Sequence, residues 1–244
     1  WSFRLYHQMQ ISSTACFMTL TYGLNKEEGY GCDPPFTHNG HYTLSKRHLQ
    51  LFFKRLRKQS KTEIKYYAVG EYGTNFLRPH YHIIMFDLSS HLLYRSLGVS
   101  RNIWKKGNVD IAICNIATIN YVVGYIMQGA WIPLDDSDDR QPHFSTMSKH
   151  LGSSYLTDEI YQYHLDRMET YVRHPGGFII SLPRYYREKI FSHEERMELE
   201  ELRQQMFQYD WNDMVNKDYS LQLVNDNYQI DKANRKLKLE RSVL

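Results

Sequence analysis

Between Tyr66 and Phe86 the chain reads Tyr-Tyr-Ala-Val-Gly-Glu-Tyr-Gly-Thr-Asn-Phe-Leu-Arg-Pro-His-Tyr-His-Ile-Ile-Met-Phe. Aromatic and β-branched residues flank a short segment holding Gly73 and Asn75, a pattern that predicts two strands joined by a tight loop. On the second strand His80 and His82 are two positions apart, so both side chains leave one face of the sheet. If the loop lets the strands pair, Glu71 joins them. Two imidazoles and a carboxylate converging from neighbouring strands make a divalent-metal site with open positions. The competing reading is that histidines among aromatics merely fill a sheet face. His-aromatic-His followed by Ile83, Ile84, Met85 and Phe86, with a glutamate upstream, favours ligands.

Composition sets only outer bounds. At 244 residues the chain suits one large domain, or an ordinary domain with appendages. Its 42% hydrophobic and 23% charged residues belong to a globular chain. No apolar run reaches the ~18 residues of a membrane-spanning helix. Three scattered cysteines (Cys16, Cys32, Cys114) contain no CxxC pair, which points to a reducing cytoplasm. A net charge of +3 does not announce nucleic-acid binding, but the basic residues cluster. The 20 tyrosines fit base stacking in single-stranded nucleic acid and equally fit half-buried sheet faces, so composition alone does not choose.

Taken in order, Trp1–Gln10 reads as a short helix. Ala15–Tyr22 alternates, with Cys16, Met18, Leu20 and Tyr22 on one face and Phe17, Thr19 and Thr21 on the other: a central strand with a polar Thr face. Gly23–Gly40 is a long loop. Ser45 caps a helix whose Leu49, Phe52, Phe53 and Leu56 form a buried stripe. Its other face carries Lys46, Arg47, Lys54, Arg55, Arg57 and Lys58 with no acid among them, suited to phosphates rather than to plain solvation.

A short helix is expected at Leu92–Leu97, then a basic turn at Arg101–Lys106 around Trp104 and a strand at Asn108–Cys114. Ile116–Gln128 reads as a helix with Ile119, Val122, Val123 and Ile126 buried and Tyr121 and Tyr125, one turn apart, on the other side. Asp135–Asp139 is an acidic loop and His143–Tyr155 is loop-like. Asp158–Tyr171 reads as a helix, Pro175–Gly177 as a turn and Phe178–Leu182 as a strand. Ser192-x-x-Glu195 is a capping box opening a helix to about Lys217, with a seam of Leu199, Leu202, Met206 and Tyr209. The remainder is polar and basic.

A metal on a sheet can withdraw charge from a phosphodiester, and a tyrosine is a competent nucleophile for that bond. At this point the motifs resemble a known family. Arg78-Pro79-His80-Tyr81-His82-Ile83-Ile84 looks like the His-hydrophobe-His signature of HUH endonucleases. Tyr121-x-x-x-Tyr125 resembles their two-tyrosine motif, and Phe17–Tyr22 resembles their first motif. More closely, the chain resembles the replication initiator proteins of microviruses, small phages with circular single-stranded DNA. Phe53–Lys58, Val69–Gly73, Met147-Ser148-Lys149 and Leu182–Tyr186 match that family's blocks in order, so the resemblance covers roughly Trp1–Ile190.

The resemblance implies an α+β fold, a central five-stranded antiparallel sheet with flanking helices, and a Mg²⁺ or Mn²⁺ site at His80, His82 and Glu71. It implies a nickase domain over 1–190 with a helical extension over 191–244. It implies rolling-circle replication: a single-stranded DNA origin is cut, a 5′-phosphotyrosine forms, and the 3′-OH primes the polymerase of the bacterial host, whose helicase is a further expected partner. Tyr121 is expected to make the first cut and Tyr125 the second. DNA contacts are expected from Lys54, Arg55, Arg57, Lys58, Arg78, Lys105, Lys106 and Lys149. One departure matters. The family usually carries Lys three residues after each tyrosine, where this chain has Gly124 and Gln128; Lys105, Lys106 and Lys149 are the candidate substitutes. The alternatives are an HUH plasmid initiator or transposase, and a non-catalytic single-stranded nucleic-acid binder.

Overall fold

The alternation of Ala15–Thr21 is realised as β1, with Cys16, Met18 and Leu20 buried on one side. The computed structural model describes residues 1–23, 29–60, 62–73, 76–89, 103–128, 133–202 and 204, with side chains only to position 124 in the segment ending at 128. The helix expected at Leu92–Leu97, Arg101, Asn75, the side chain of Tyr125, and the seam residues Met206 and Tyr209 lie outside the described residues.

Five strands form one antiparallel sheet in the order β4-β1-β3-β2-β5. β3 (Pro79–Phe86) is central, flanked by β1 and by β2 (Lys65–Tyr72). β4 (Val109–Ile113) extends the sheet beyond β1, and β5 (Phe144–Met147) extends it beyond β2. The α+β fold and five-stranded sheet expected from the sequence are therefore present. β5 corrects the loop expected at His143–Tyr155. Four residues of mixed polarity carry no readable period, and they are extended because they pair with β2 from Tyr67↔Met147 to Gly70↔Phe144.

The sheet is covered on both faces. On one, Met18, Leu20, Ala68, Tyr81, Ile83 and Met85 pack with Leu49, Phe52, Phe53 and Leu56 of α2 (Lys46–Gln59) and with Trp104. On the other, Tyr67, Val69, Ile84 and Phe86 pack with Leu5 of α1 (Ser2–Ile11) and with Ile119 and Val122 of α3 (Ile116–Gln128). Trp104 is core rather than the centre of an exposed basic turn, its indole N–H donating to the Thr21 carbonyl at 2.8 Å. Next to it Gly107 is obligatory, because a Cβ there would lie 2.2 Å from the Thr21 carbonyl oxygen.

Much of the tyrosine excess goes into hydroxyl networks around the start of α2. Ser45 caps that helix, its Oγ accepting from the His48 amide at 3.2 Å. The Tyr81 hydroxyl accepts from the Ser45 amide at 2.9 Å and lies 2.9 Å from the Tyr22 hydroxyl, which in turn reaches His48 Nδ1 at 2.8 Å. Burial, with Lys106 and Arg55 adding to it, pushes His48 down to about 4, so this imidazole stays neutral. The Tyr72 hydroxyl accepts from the Leu44 amide at 3.1 Å and donates to the Gln141 carbonyl at 2.7 Å.

By its internal contacts the chain divides into two units, Trp1–Tyr161 with Tyr171–Pro183, and Gln162–Thr170 with Arg184–Leu244. The helix expected to reach Tyr171 is α4 (Asp158–Arg167), ending where Met168 takes a φ of 47°. Tyr171–Arg173 is instead β6, paired with β7 (Ile179–Ser181) across the Pro175–Gly177 turn. In the second unit α5 (Arg184–Ile190) buries Tyr186 and Ile190. The capping box that follows is formed on both sides: the Ser192 amide donates to Glu195 Oε2 at 2.6 Å, and the Glu195 amide to Ser192 Oγ at 3.2 Å.

Candidate metal centre and tyrosine helix

The β2–β3 hairpin sets the site by its register. The Gly73 amide donates to the Arg78 carbonyl at 3.0 Å, closing the loop so that Glu71 stands directly across from His80 and Val69 across from His82. Residues two apart share a face, so Glu71, His80 and His82 converge. Glu71 Oε1 lies 2.6 Å from His80 Nε2 and 3.1 Å from His82 Nε2. Among the described residues this is the one group of three or more His, Cys, Asp or Glu side chains whose donor atoms all lie within 4.8 Å of each other.

The far side of each imidazole is also held. His80 Nδ1 is 3.1 Å from the Arg78 carbonyl, and His82 Nδ1 is 3.1 Å from Thr19 Oγ1, which the β1–β3 register places opposite it. A carbonyl can only accept, so His80 carries its proton on Nδ1 when neutral and offers the Nε2 lone pair to the centre. Thr19 does not force a tautomer, but it orients the His82 ring. This is the second layer of hydrogen bonds that metal-ligating histidines require, and the donor set fits a divalent cation. Burial alone would raise Glu71, but the hydrogen bonds from His80 and His82 outweigh it and hold the carboxyl below its ordinary range. For His80, burial pushes down, while the Glu71 and Arg78 hydrogen bonds and the Glu71 charge together raise it.

α3 lies over the same face and brings Tyr121 to this centre. Its ring is edge-on to His82, centroids 5.7 Å apart, and edge-on to Phe17 at 6.1 Å, while 51% of the residue remains exposed. Phe17 in turn stacks on His82 at 5.5 Å and 22°. The helix side opposite the apolar stripe, where Tyr121 was expected, thus includes the edge of the metal face. Tyr125 lies on the same helix.

The basic residues are not gathered here. The buried side of α2 packs on the sheet face opposite the centre, so Lys54, Arg55, Arg57 and Lys58 belong to that other side. Arg55 donates to the Ile103 carbonyl at 3.1 Å, and Arg57 lies over the Phe53 and Tyr66 rings. Lys106 sits near Cys32 and His48, and Lys105 is the exposed residue beside it. Lys149 lies beyond the far end of β5. Arg78 is the cation nearest the centre in sequence and hairpin position. It reaches Asp33 at 3.7 Å and lies over the Tyr42 ring at 5.2 Å. The Thr face of β1 is legible in the sequence, but nothing there assigns Thr19 to His82. No periodicity points to Phe76 either, 83% exposed in the β2–β3 loop.

Residues 15–130, from the start of β1 to just beyond α3, match the family model of the replication-associated protein ORF2 group. The chain is 27% identical over 207 residues to replication-associated protein VP4 of Bdellovibrio phage phiMH2K, which covers 76% of this chain and 60% of that protein. It is 28% identical over 210 residues to replication-associated protein ORF4 of Chlamydia phage 1, covering 74% of this chain and 51% of the other. With replication-associated protein ORF2 of Spiroplasma virus 4 it shares 29% over 160 residues, 58% of this chain and 47% of that one. The chain thus spans about half the length of the curated relatives it matches. No solved structure matches it. Over residues 15–130 the chain carries the pattern of the replication-associated protein ORF2 family, and the resemblance to microvirus replication initiators read from the sequence is borne out.

Proposed function

We propose that the chain initiates rolling-circle replication by nicking a single-stranded DNA origin, with Tyr121 as the first nucleophile at a divalent-metal centre of Glu71, His80 and His82. The observation that carries this reading is the meeting of two imidazole Nε2 atoms on one carboxylate oxygen, with a tyrosine ring beside His82. The names of the matched phage proteins supply the replication context.

Glu71, His80 and His82 would hold Mg²⁺ or Mn²⁺, which when bound withdraws charge from the non-bridging oxygens of the scissile phosphate. Tyr121, carried on a helix rather than a loop, is held at the edge of the metal face, so little of its freedom is left to lose on attack. Its phenolate oxygen bonds to phosphorus as the bond to the 3′ oxygen breaks. The 3′ oxygen leaves with a proton as a free hydroxyl, and the 5′ phosphate remains on the tyrosine. That ester keeps the energy of the broken bond, so the same site can rejoin strands, with Tyr125 as the second nucleophile. Arg78 and the exposed Phe76 flank the centre on the hairpin and suit a phosphate and a stacked base of the entering strand.

The test is a labelled origin oligonucleotide with and without Mn²⁺, followed by mapping of the covalent adduct. An adduct on Tyr121, lost in Tyr121→Phe and in His82→Ala, is expected. An adduct on Tyr125 alone reverses the order of cuts. Binding without any adduct leaves the chain a single-strand binding module.

A further inference from the structure

We propose that His143 is a fourth residue of the metal centre: an outer imidazole that hydrogen-bonds a water of the divalent ion held by Glu71, His80 and His82. The inference rests on the reading of those three as ligands. It starts from the β2–β5 register, whose last pair is Gly70↔Phe144. The next step of the same ladder places His143 across from Glu71, just as β3 places His80 across from Glu71 on the other side. The carboxylate is therefore flanked by an imidazole on each neighbouring chain segment.

Both ring nitrogens of His143 are buried and neither has a hydrogen-bond partner among the described residues. Buried side-chain nitrogens are nearly always paired, and an imidazole with two unpaired ones requires a reason. Packing supplies only half of one. The ring meets Tyr72 edge-on at 5.4 Å, a contact that accounts for its carbons and leaves its nitrogens unused. The charges of Glu71 and His80 both reach it, and burial, the largest influence, lowers its proton affinity, so it is neutral with one donor and one acceptor. It is not a direct ligand, since the cluster with all donor atoms within 4.8 Å of one another comprises Glu71, His80 and His82 without it. A water on the ion bridges such a separation, and partners of this kind commonly change metal affinity by about 10- to 100-fold.

The experiment is calorimetric titration of the metal-free full chain with Mn²⁺, without DNA, together with pulsed electron paramagnetic resonance to count manganese-bound imidazoles. The wild type is expected to bind one Mn²⁺ through two imidazoles. His143→Phe, which keeps the packing on Tyr72 and removes the nitrogens, should bind about 10-fold more weakly or worse with two imidazoles still coordinated. His143→Gln, which restores a donor and an acceptor, should recover most of that loss. Equal affinity in the wild type and His143→Phe overturns the proposal while leaving the three-residue centre intact. A third imidazole in the wild type that disappears in His143→Phe also overturns it, making His143 a ligand. No Mn²⁺ binding by the wild type removes the centre itself, and the proposal with it.

Discussion

Which nitrogen His80 turns towards the centre is decided by a carbonyl two residues away, and the resulting Glu71–His80 pair has a pH signature. His80 is raised above its ordinary 6.5, so its contribution to stability is fully present below that value and is lost as pH rises through the raised one. Glu71 is lowered from its ordinary 4.5, so its contribution is present above that value and is lost as pH falls through the lowered one. The metal-free chain should therefore gain most from the pair between these limits, and Glu71→Gln should flatten thermal midpoints measured across that window. The sign reverses for metal. A cation must displace the His80 proton, so Mn²⁺ affinity should fall as pH drops below the raised value. Affinity that does not change with pH would remove His80 from the ligand set.

At the scale of the helix, α3 offers a direct trial of the departure from the family pattern. Gly124 stands where that family carries lysine, and a Cβ built there meets nothing within 4 Å. Gly124→Lys should therefore fit without strain and stabilise the helix by roughly 0.5–1 kcal/mol, glycine being the poorest helix former after proline. It should also speed single-turnover cleavage if the lysine serves this chain as it serves the family; a more stable but no faster variant would mean that another group does that work. For α2 the prediction runs through geometry. Because its buried side lies on the sheet face away from the centre, Lys54→Glu with Lys58→Glu should leave cleavage of a short oligonucleotide unchanged. Affinity for longer strands should drop, and the salt slope should fall by about 0.7 for each phosphate that the variant no longer neutralises. A slowed short-substrate reaction would contradict that division of labour. Removing the cap by Ser45→Ala should cost about 1 kcal/mol, read from denaturant melts.

In the molecule as a whole, the sheet, the metal face and Tyr121 all belong to the unit made of Trp1–Tyr161 and Tyr171–Pro183. A chain ending at residue 204 should therefore bind Mn²⁺ as the full chain does, checked by the same calorimetry. Weaker binding would show that residues 205–244 contribute to the centre. The expected boundary at 190–191 is a proposal of the same kind, and limited proteolysis with mass mapping of the fragments is its test.

What the sequence determined by itself is local. His-x-His on a strand, two tyrosines one turn apart on a helix, Ser45 and Ser192 at helix starts and the Phe17–Thr19–Thr21 face all follow from periods of 2 and 3.6 and from capping chemistry. What only the tertiary structure decided is pairing across distance. Glu71 reaches His80 and His82 because the hairpin register sets it opposite His80, and a slip of one residue would have sent it to the other face. The four-residue β5 exists because β2 has an edge for it, which brings His143 beside Glu71 from far along the chain. α2 carries its cations away from the centre because its apolar stripe was claimed by the opposite sheet face, and a stripe read from sequence does not say which face will bury it.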